Sequence, residues 1–236
     1  MKARLCVACI AIAAIIISGC ATPGSGDRTP IDQVPMYGPM DRAAVPQLRA
    51  ADEQLIAGTT KHYGSREAAS TAFADQGFRF YQANDNEKAM RRFNQAWLLN
   101  PENGDAYWGF ASILNDRKDY CEAAKHMRTA LTKPGLQKAA LPDAGLIFAG
   151  CSASLPAGDT SGKDALKAES EKAFESVIET NVSKDYVFLA WARAKAWTGD
   201  FSGAWGKVRE YRVATGKEPP QDFLTRLRQQ MPEPRS

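Results

Sequence analysis

Residues 70–103 read STAFADQGFRFYQANDNEKAMRRFNQAWLLNPEN, and residues 104–137 read GDAYWGFASILNDRKDYCEAAKHMRTALTKPGLQ. Set one under the other, these two segments of 34 residues align without a gap. Asp85 falls on Asp119, Ala89 on Ala123 and Ala96 on Ala130. Large apolar side chains coincide as well, Phe73 with Tyr107, Phe80 with Leu114 and Phe93 with Met127, while Gly77 meets Ala111. Apolar residues within each half recur at helical spacing, so each segment predicts two helices joined by a turn. One such hairpin cannot bury its apolar face alone. A repeat of this length therefore implies several hairpins stacked into a continuous core.

The pattern resembles the tetratricopeptide repeat, with Phe73, Gly77, Phe80, Ala89, Phe93, Ala96 and Pro101 on its key positions. Gln76 departs from it, where Leu is usual, and Pro134 closes the second unit one place early. A later unit starts near Asp185, with Phe188, Trp191, Ala192, Ala204 and Val208 in register around a Gly199-Asp200-Phe201 turn. There Lys195 replaces the aromatic and no Pro closes the unit. Asp119 and Asp200 are 81 residues apart, two periods plus 13. The excess belongs to a third unit, with helices expected over 142–154 and 164–179 and an enlarged turn at Leu155–Gly162. Leu48, Ala51, Leu55 and Ile56 predict a helix over 46–57, and Gly64 followed by Ser65 breaks the chain and caps the next one. Phe223, Leu224, Leu227 and Met231 predict a closing helix. The resemblance thus implies an all-α tetratricopeptide-repeat solenoid of about four helical hairpins with N- and C-terminal capping helices, occupying 46–231, with a tail at 232–236.

The chain begins with an address. Lys2 and Arg4 precede an apolar run, Leu5 to Ile17, whose 13 residues are too few to span a bilayer as a helix but fit a secretory signal. Ile17-Ser18-Gly19-Cys20 resembles the lipobox of bacterial lipoproteins. That likeness implies removal of 1–19, acylation of Cys20 with palmitate-type chains, and, with Ala21 rather than Asp next, an outer-membrane anchor on the periplasmic side. One acyl chain binds a bilayer marginally, and two or more hold it stably. Residues 20–45, with Pro23, Gly24, Gly26, Pro30, Pro35, Gly38 and Pro39 and no apolar period, read as a flexible tether.

Chemistry is poorly represented. The formal charge is +3, from 30 basic and 27 acidic residues, too small to mark a nucleic-acid surface. Of the two histidines, His62 sits in a linker and His126 on an outward helix face. Neither has neighbours spaced for a triad or a metal site. Gly158–Lys163 is rich in phosphate-cradling residue types but lacks P-loop spacing, and reads as a turn. No metal and no cofactor are expected.

In the tetratricopeptide family the first helix of each hairpin lines a peptide-binding groove. The corresponding residues here are Phe78, Tyr81, Trp108, Ser112, Asn115, Asp116, Arg193 and Trp197. The family's carboxylate clamp is absent, since Ala74 with Phe78 and Trp108 with Ser112 occupy its positions. Trp108 and Trp197 are the expected anchors. The rival expectation is that these aromatics are buried within the chain, or that helix 46–57 fills the groove. Cys121 and Cys151 are the two thiols left besides Cys20. Near the start and end of antiparallel helices in this fold, in an oxidising compartment, they are expected to form a disulfide. The reading is a non-enzymatic, lipid-anchored periplasmic adaptor for another envelope protein. A structural subunit buried in an envelope complex is the alternative. An enzyme acting on cell wall or lipid would need close carboxylates or an activated nucleophile, and the sequence displays neither.

Overall fold

The computed structural model describes residues 37–234. The expected signal segment 1–19, Cys20 and the expected tether as far as residue 36 lie outside the described residues, as do Arg235 and Ser236. Ten α-helices, one short 3-10 turn at Arg42–Ala44 and no strand occur among the described residues, so the fold is all-α. The helices are α1 (Pro46–Tyr63), α2 (Arg66–Gln82), α3 (Asn86–Leu99), α4 (Gly104–Asp116), α5 (Tyr120–Thr132), α6 (Ala140–Ser154), α7 (Thr160–Val177), α8 (Lys184–Trp197), α9 (Phe201–Thr215) and α10 (Gln221–Gln230).

Local sequence sets most of the boundaries. Ser65 accepts a hydrogen bond from the Ala68 N–H and Asn103 from that of Asp105, so α2 and α4 start on capped ends. Gly64 and Gly216 end α1 and α9 in the left-handed conformation. Three of the hairpin turns use one backbone arrangement. The residue before the capping Asp is left-handed in each: Asn84 at φ 59°, Lys118 at φ 65° and Gly199 at φ 81°. Asp85 and Asp200 then accept from the N–H of Lys88 and Gly203.

Helices α2–α3, α4–α5, α6–α7 and α8–α9 pack as hairpins, and α2, α4, α6 and α8 also touch in sequence. Rings from the second helices are wedged against bare backbone. Phe93 of α3, fully buried, lies against both Gly77 of α2 and Gly109 of α4, where a Cβ on either glycine would collide with the ring. Phe174 of α7 lies in the same way against Gly145 of α6, and stacks on Trp191 of α8 at 5.3 Å. Each wedge joins its own hairpin to the next. At one end Leu55, Ile56 and Tyr63 of α1 pack on the Ala69–Phe73–Ala74 cluster. At the other, Phe223, Leu224 and Leu227 of α10 cover Ala192, Ala204, Trp205 and Val208. The first cap is longer than the expected 46–57, since α1 carries Gly58 in its interior and ends only at Gly64, in the left-handed conformation. The tail is tied down by Glu233, which pairs with Arg212 and Arg228.

The third hairpin departs from expectation. Ala111 and Gly145 are 34 apart, and so are Ser170 and Ala204, and Phe174 and Val208. The excess therefore falls between Gly145 and Ser170. It is mostly helical rather than an open loop: α6 continues to Ser154, α7 begins at Thr160, and only five residues, 155–159, connect them. The stretch Gly158–Lys163, expected to be a turn, instead supplies the start of α7. Asp159 accepts from the Gly162 N–H and sets that start. Ser152 Oγ donates to the Lys163 carbonyl at 3.0 Å and ties the lengthened arms together.

Residues 37–45, expected to belong to the tether, are packed on the helices instead. From Tyr37 the chain is fixed to the helical body rather than free to residue 45. The Tyr37 ring contacts Trp97, Tyr107, Phe110 and His126 at 5.2–5.7 Å, and its N–H donates to Asn94 Oδ1. Arg42 and Asp52 form a buried two-point ion pair. His126, expected on an outward face, is therefore largely covered, its side chain 11% exposed.

Cys121, in the first turn of α5, and Cys151, in the last turn of α6, are joined by a disulfide with a sequence separation of 30. The bond fixes the lengthened end of α6 to the neighbouring hairpin. Closing a loop of that size stabilises by about 3–4 kcal/mol in the chain-entropy model, so Cys121→Ser with Cys151→Ser is expected to lower the denaturation free energy by that amount. Equal stability of the double variant and the parent in urea would contradict it. A gain is expected at Lys118, where a side chain in the left-handed region costs about 1–2 kcal/mol. After the extra flexibility of Gly in the unfolded chain is subtracted, Lys118→Gly should stabilise by about 0.5–1 kcal/mol, read as a rise in melting temperature.

Candidate functional site

The first helices of the hairpins, α2, α4, α6 and α8, present a shared face that holds two side-chain clusters. The first centres on Asp143, in the opening turn of α6. Its Oδ2 accepts from Trp108 Nε1 at 2.8 Å, and its Oδ1 accepts from the Tyr186 hydroxyl. One carboxylate thereby links α4, α6 and α8. Trp108 is only 8% exposed, and its ring lies 4.2 Å from that of Phe78 on α2. Ser112 is buried beneath it, its hydroxyl donating to the Trp108 carbonyl at 3.0 Å. Asp116 of α4 acts electrostatically on the Tyr81 phenol of α2.

Electrostatics follow from burial. Desolvation pushes the Asp143 carboxyl above its ordinary range, against the two hydrogen bonds that pull it down, and Asp116 pushes in the same direction as burial. Burial also raises the phenols of Tyr81 and Tyr186, with Asp116 adding to the first and Asp143 to the second. Both phenols are neutral donors at physiological pH.

The expectation that Trp108 and Ser112 face a ligand is corrected here. The sixth position of the third unit carries a carboxylate within reach of the indole N–H, so Trp108 is satisfied and covered from inside the chain. Phe78 and Tyr81 are half-buried in the same cluster, and Asn115 is half-buried with its Oδ1 lacking a hydrogen-bond partner.

The second cluster lies between α8 and α10. A groove of about 650 Å³ is lined by Leu146, Arg193, Trp197, Phe223, Arg226 and Leu227, among others. Trp197 is 47% exposed. Arg193, half-buried one turn before it, makes no hydrogen bond or ion pair among the described residues. Arg226 pairs with Asp222 at 2.7 Å on the exposed side of α10.

Sequence reasoning missed Asp143, Leu146, Tyr186 and the α10 residues. Setting Gly145 at the eighth position, 34 after Ala111, would have put Asp143 and Leu146 on the groove face. Tyr186 held a groove position in the last unit from the start. Nothing in the sequence announced that α10 would supply a groove wall.

Both oxygens of Asp143 are engaged, with no Ser, Cys or His beside them. His126 is enclosed by Tyr37 and Phe110, and burial lowers its pKa. His62 stacks edge-on against Tyr63. No group of His, Cys, Asp and Glu suited to a metal ion occurs among the described residues, and no helix among them is long and apolar enough to cross a membrane. Compared with known protein families, curated proteins and solved structures, the chain matches none.

The raised Asp143 carboxyl gives a signed pH expectation. Between its unfolded pKa and the higher folded one, the folded state binds more proton. This group's contribution to stability is full below the unfolded value and is lost as pH rises through the folded value. Asp143→Asn removes that cost while keeping an acceptor for Trp108. The Asn variant should match or exceed the parent at pH 7, with the difference shrinking towards pH 4. Asp143→Ala should lose about 1–3 kcal/mol by orphaning two donors. Thermal unfolding across that pH range checks both, and an Asn variant as damaged as the Ala variant at pH 7 would overturn the assignment.

Proposed function

We propose that this chain is a non-enzymatic adaptor, held by lipid on Cys20 at the periplasmic face of the outer membrane, whose tetratricopeptide-type hairpins bind a segment of another envelope protein. The observation that carries the reading is Trp197. A large aromatic left half-exposed beside an unpaired guanidinium, in a groove with an apolar floor, is a feature that folding does not require and that recognition does. Aromatic residues and Arg are the residue types that most often anchor interfaces. The tetratricopeptide assignment is supported by the register of small residues and wedged rings at 34-residue spacing in paired helices. The lipid anchor is supported by the basic head, the short apolar run and the lipobox at Ile17–Cys20.

One observation favours the alternative, a structural subunit with more than one contact face. Val213 on α9 is 88% exposed, beside Phe188 and Ala214 and away from the Trp197 groove. A subunit enclosed by neighbours would use both surfaces.

Four variants of the full chain test these readings. Cys20→Ser is expected to leave the chain unprocessed or released from the membrane. Trp197→Ala is expected to lose a co-purifying envelope partner by at least about thirtyfold in affinity, the equivalent of about 2 kcal/mol, with an unchanged melting temperature. Trp108→Ala is expected instead to lower the melting temperature, because it removes a buried ring and the donor to Asp143. Unaltered partner recovery with Trp197→Ala and a loss with Val213→Asp would favour the structural-subunit reading.

A further inference from the structure

We propose that the groove between α8 and α10 takes an amphipathic helix of the partner, presenting an acidic side chain one helical turn from a large apolar one. This rests on the adaptor reading and names the chemistry of its recognition element. The charged residues that line the groove are both cations, Arg226 paired with Asp222 on α10 and Arg193 without an ion pair. Arg193 and Arg226 stand at its wall, the neighbouring polar residues Gln229 and Gln230 are neutral, and Leu146, Phe223 and Leu227 form an apolar floor. Arg193 has no counter-charge among the described residues although it is half-buried. A guanidinium in that position is best matched by a carboxylate, which it can grip with two parallel hydrogen bonds.

Spacing selects the shape of the occupant. Arg193 and Trp197 are four residues apart on α8, so their side chains leave the helix about 5–6 Å apart. Groups that match both lie at the same separation on a partner, which is the spacing of residues three or four apart on a helix. A helix laid into an apolar groove is a recurrent mode of recognition, and its anchors repeat at this interval. The acid meets Arg193, with Arg226 closing over it. The apolar side chain lies on the floor beneath the Trp197 ring, which then loses its exposed face to the partner.

The other cluster on the same face does not fit this occupant. Around Asp143 and Asp116 the charge has the opposite sign, and Trp108 already has its partner. The partner helix is therefore fixed at the α8–α10 end.

The experiment is photo-crosslinking in the cells that naturally express the full, lipidated chain. p-Benzoylphenylalanine replaces Trp197 in one strain and Tyr81 in another, and the linked peptides are mapped by mass spectrometry. The expected result at position 197 is a helical segment of another envelope protein with Asp or Glu three or four residues from a large apolar residue. Arg193→Glu should cut that yield about tenfold with little change in the melting temperature, since the guanidinium makes no hydrogen bond or ion pair among the described residues. A Lys in place of the partner's acid should restore it. Arg226→Glu should also cut the yield, with a small fall in melting temperature because it replaces the Asp222 ion pair by a like-charge contact.

A linked segment without an acid, a link to lipid or to a second copy of this chain, or a yield indifferent to both charge reversals would overturn the proposal. Links at position 81 but none at 197 would overturn it and leave the adaptor reading standing. The absence of links at both positions would overturn both.

Discussion

Phe93 resting on the backbone of two glycines is the contact on which the architecture depends. Gly77 and Gly109 belong to successive first helices, and the same ring fills the space left by both missing side chains. The helices approach closely because nothing projects between them, and the ring recovers in dispersion and buried area what the glycines give up in helix propensity. Phe174 repeats the device against Gly145 and passes the stack on to Trp191. With each wedge shared between neighbouring hairpins, no hairpin is stable in isolation, and the two terminal helices are needed to close the exposed ends of the stack.

The third hairpin shows how a regular array absorbs irregularity. Thirteen residues beyond the period are accommodated, yet the contacts on either side keep their spacing. The excess is extruded along the hairpin axis, where added helical turns disturb no interface. A longer hairpin has a less well supported tip, and two cross-links meet that need: the disulfide from Cys151 to Cys121 and the hydrogen bond from Ser152 to Lys163. The disulfide therefore serves the exception rather than the repeat.

The shared face of the first helices combines a region the fold has used for itself with one it has left open. Around Asp143 the aromatic and phenolic groups satisfy one another, and the carboxylate acts as a knot across three helices. Between α8 and α10 the aromatic is half-exposed and Arg193 has no ion pair among the described residues, while Arg226 is paired with Asp222. Both regions consist of residue types found at binding surfaces, so residue type alone did not distinguish them. The distinction lies in where the counter-groups are, and for Trp108 the counter-group is 35 residues along the chain on another helix.

Sequence by itself determined the all-helical hairpins, their register in the first, second and last units, the capping residue Ser65, and the positions of the two cysteines at facing helix ends. These are legible because they depend on short-range periodicity and on backbone hydrogen bonds closed within a few residues. Tertiary structure decided the rest. It started α7 at Thr160, at the expense of the expected turn, fixed Tyr37 to the helical body by giving that ring an aromatic recess, covered His126, and buried Trp108 while leaving Trp197 in solvent. The physical reason is the same throughout. Burial and pairing are properties of what stands opposite a side chain, and the groups opposite Tyr37, Trp108 and Arg193 are fixed by how separate helices stack, which no local pattern encodes.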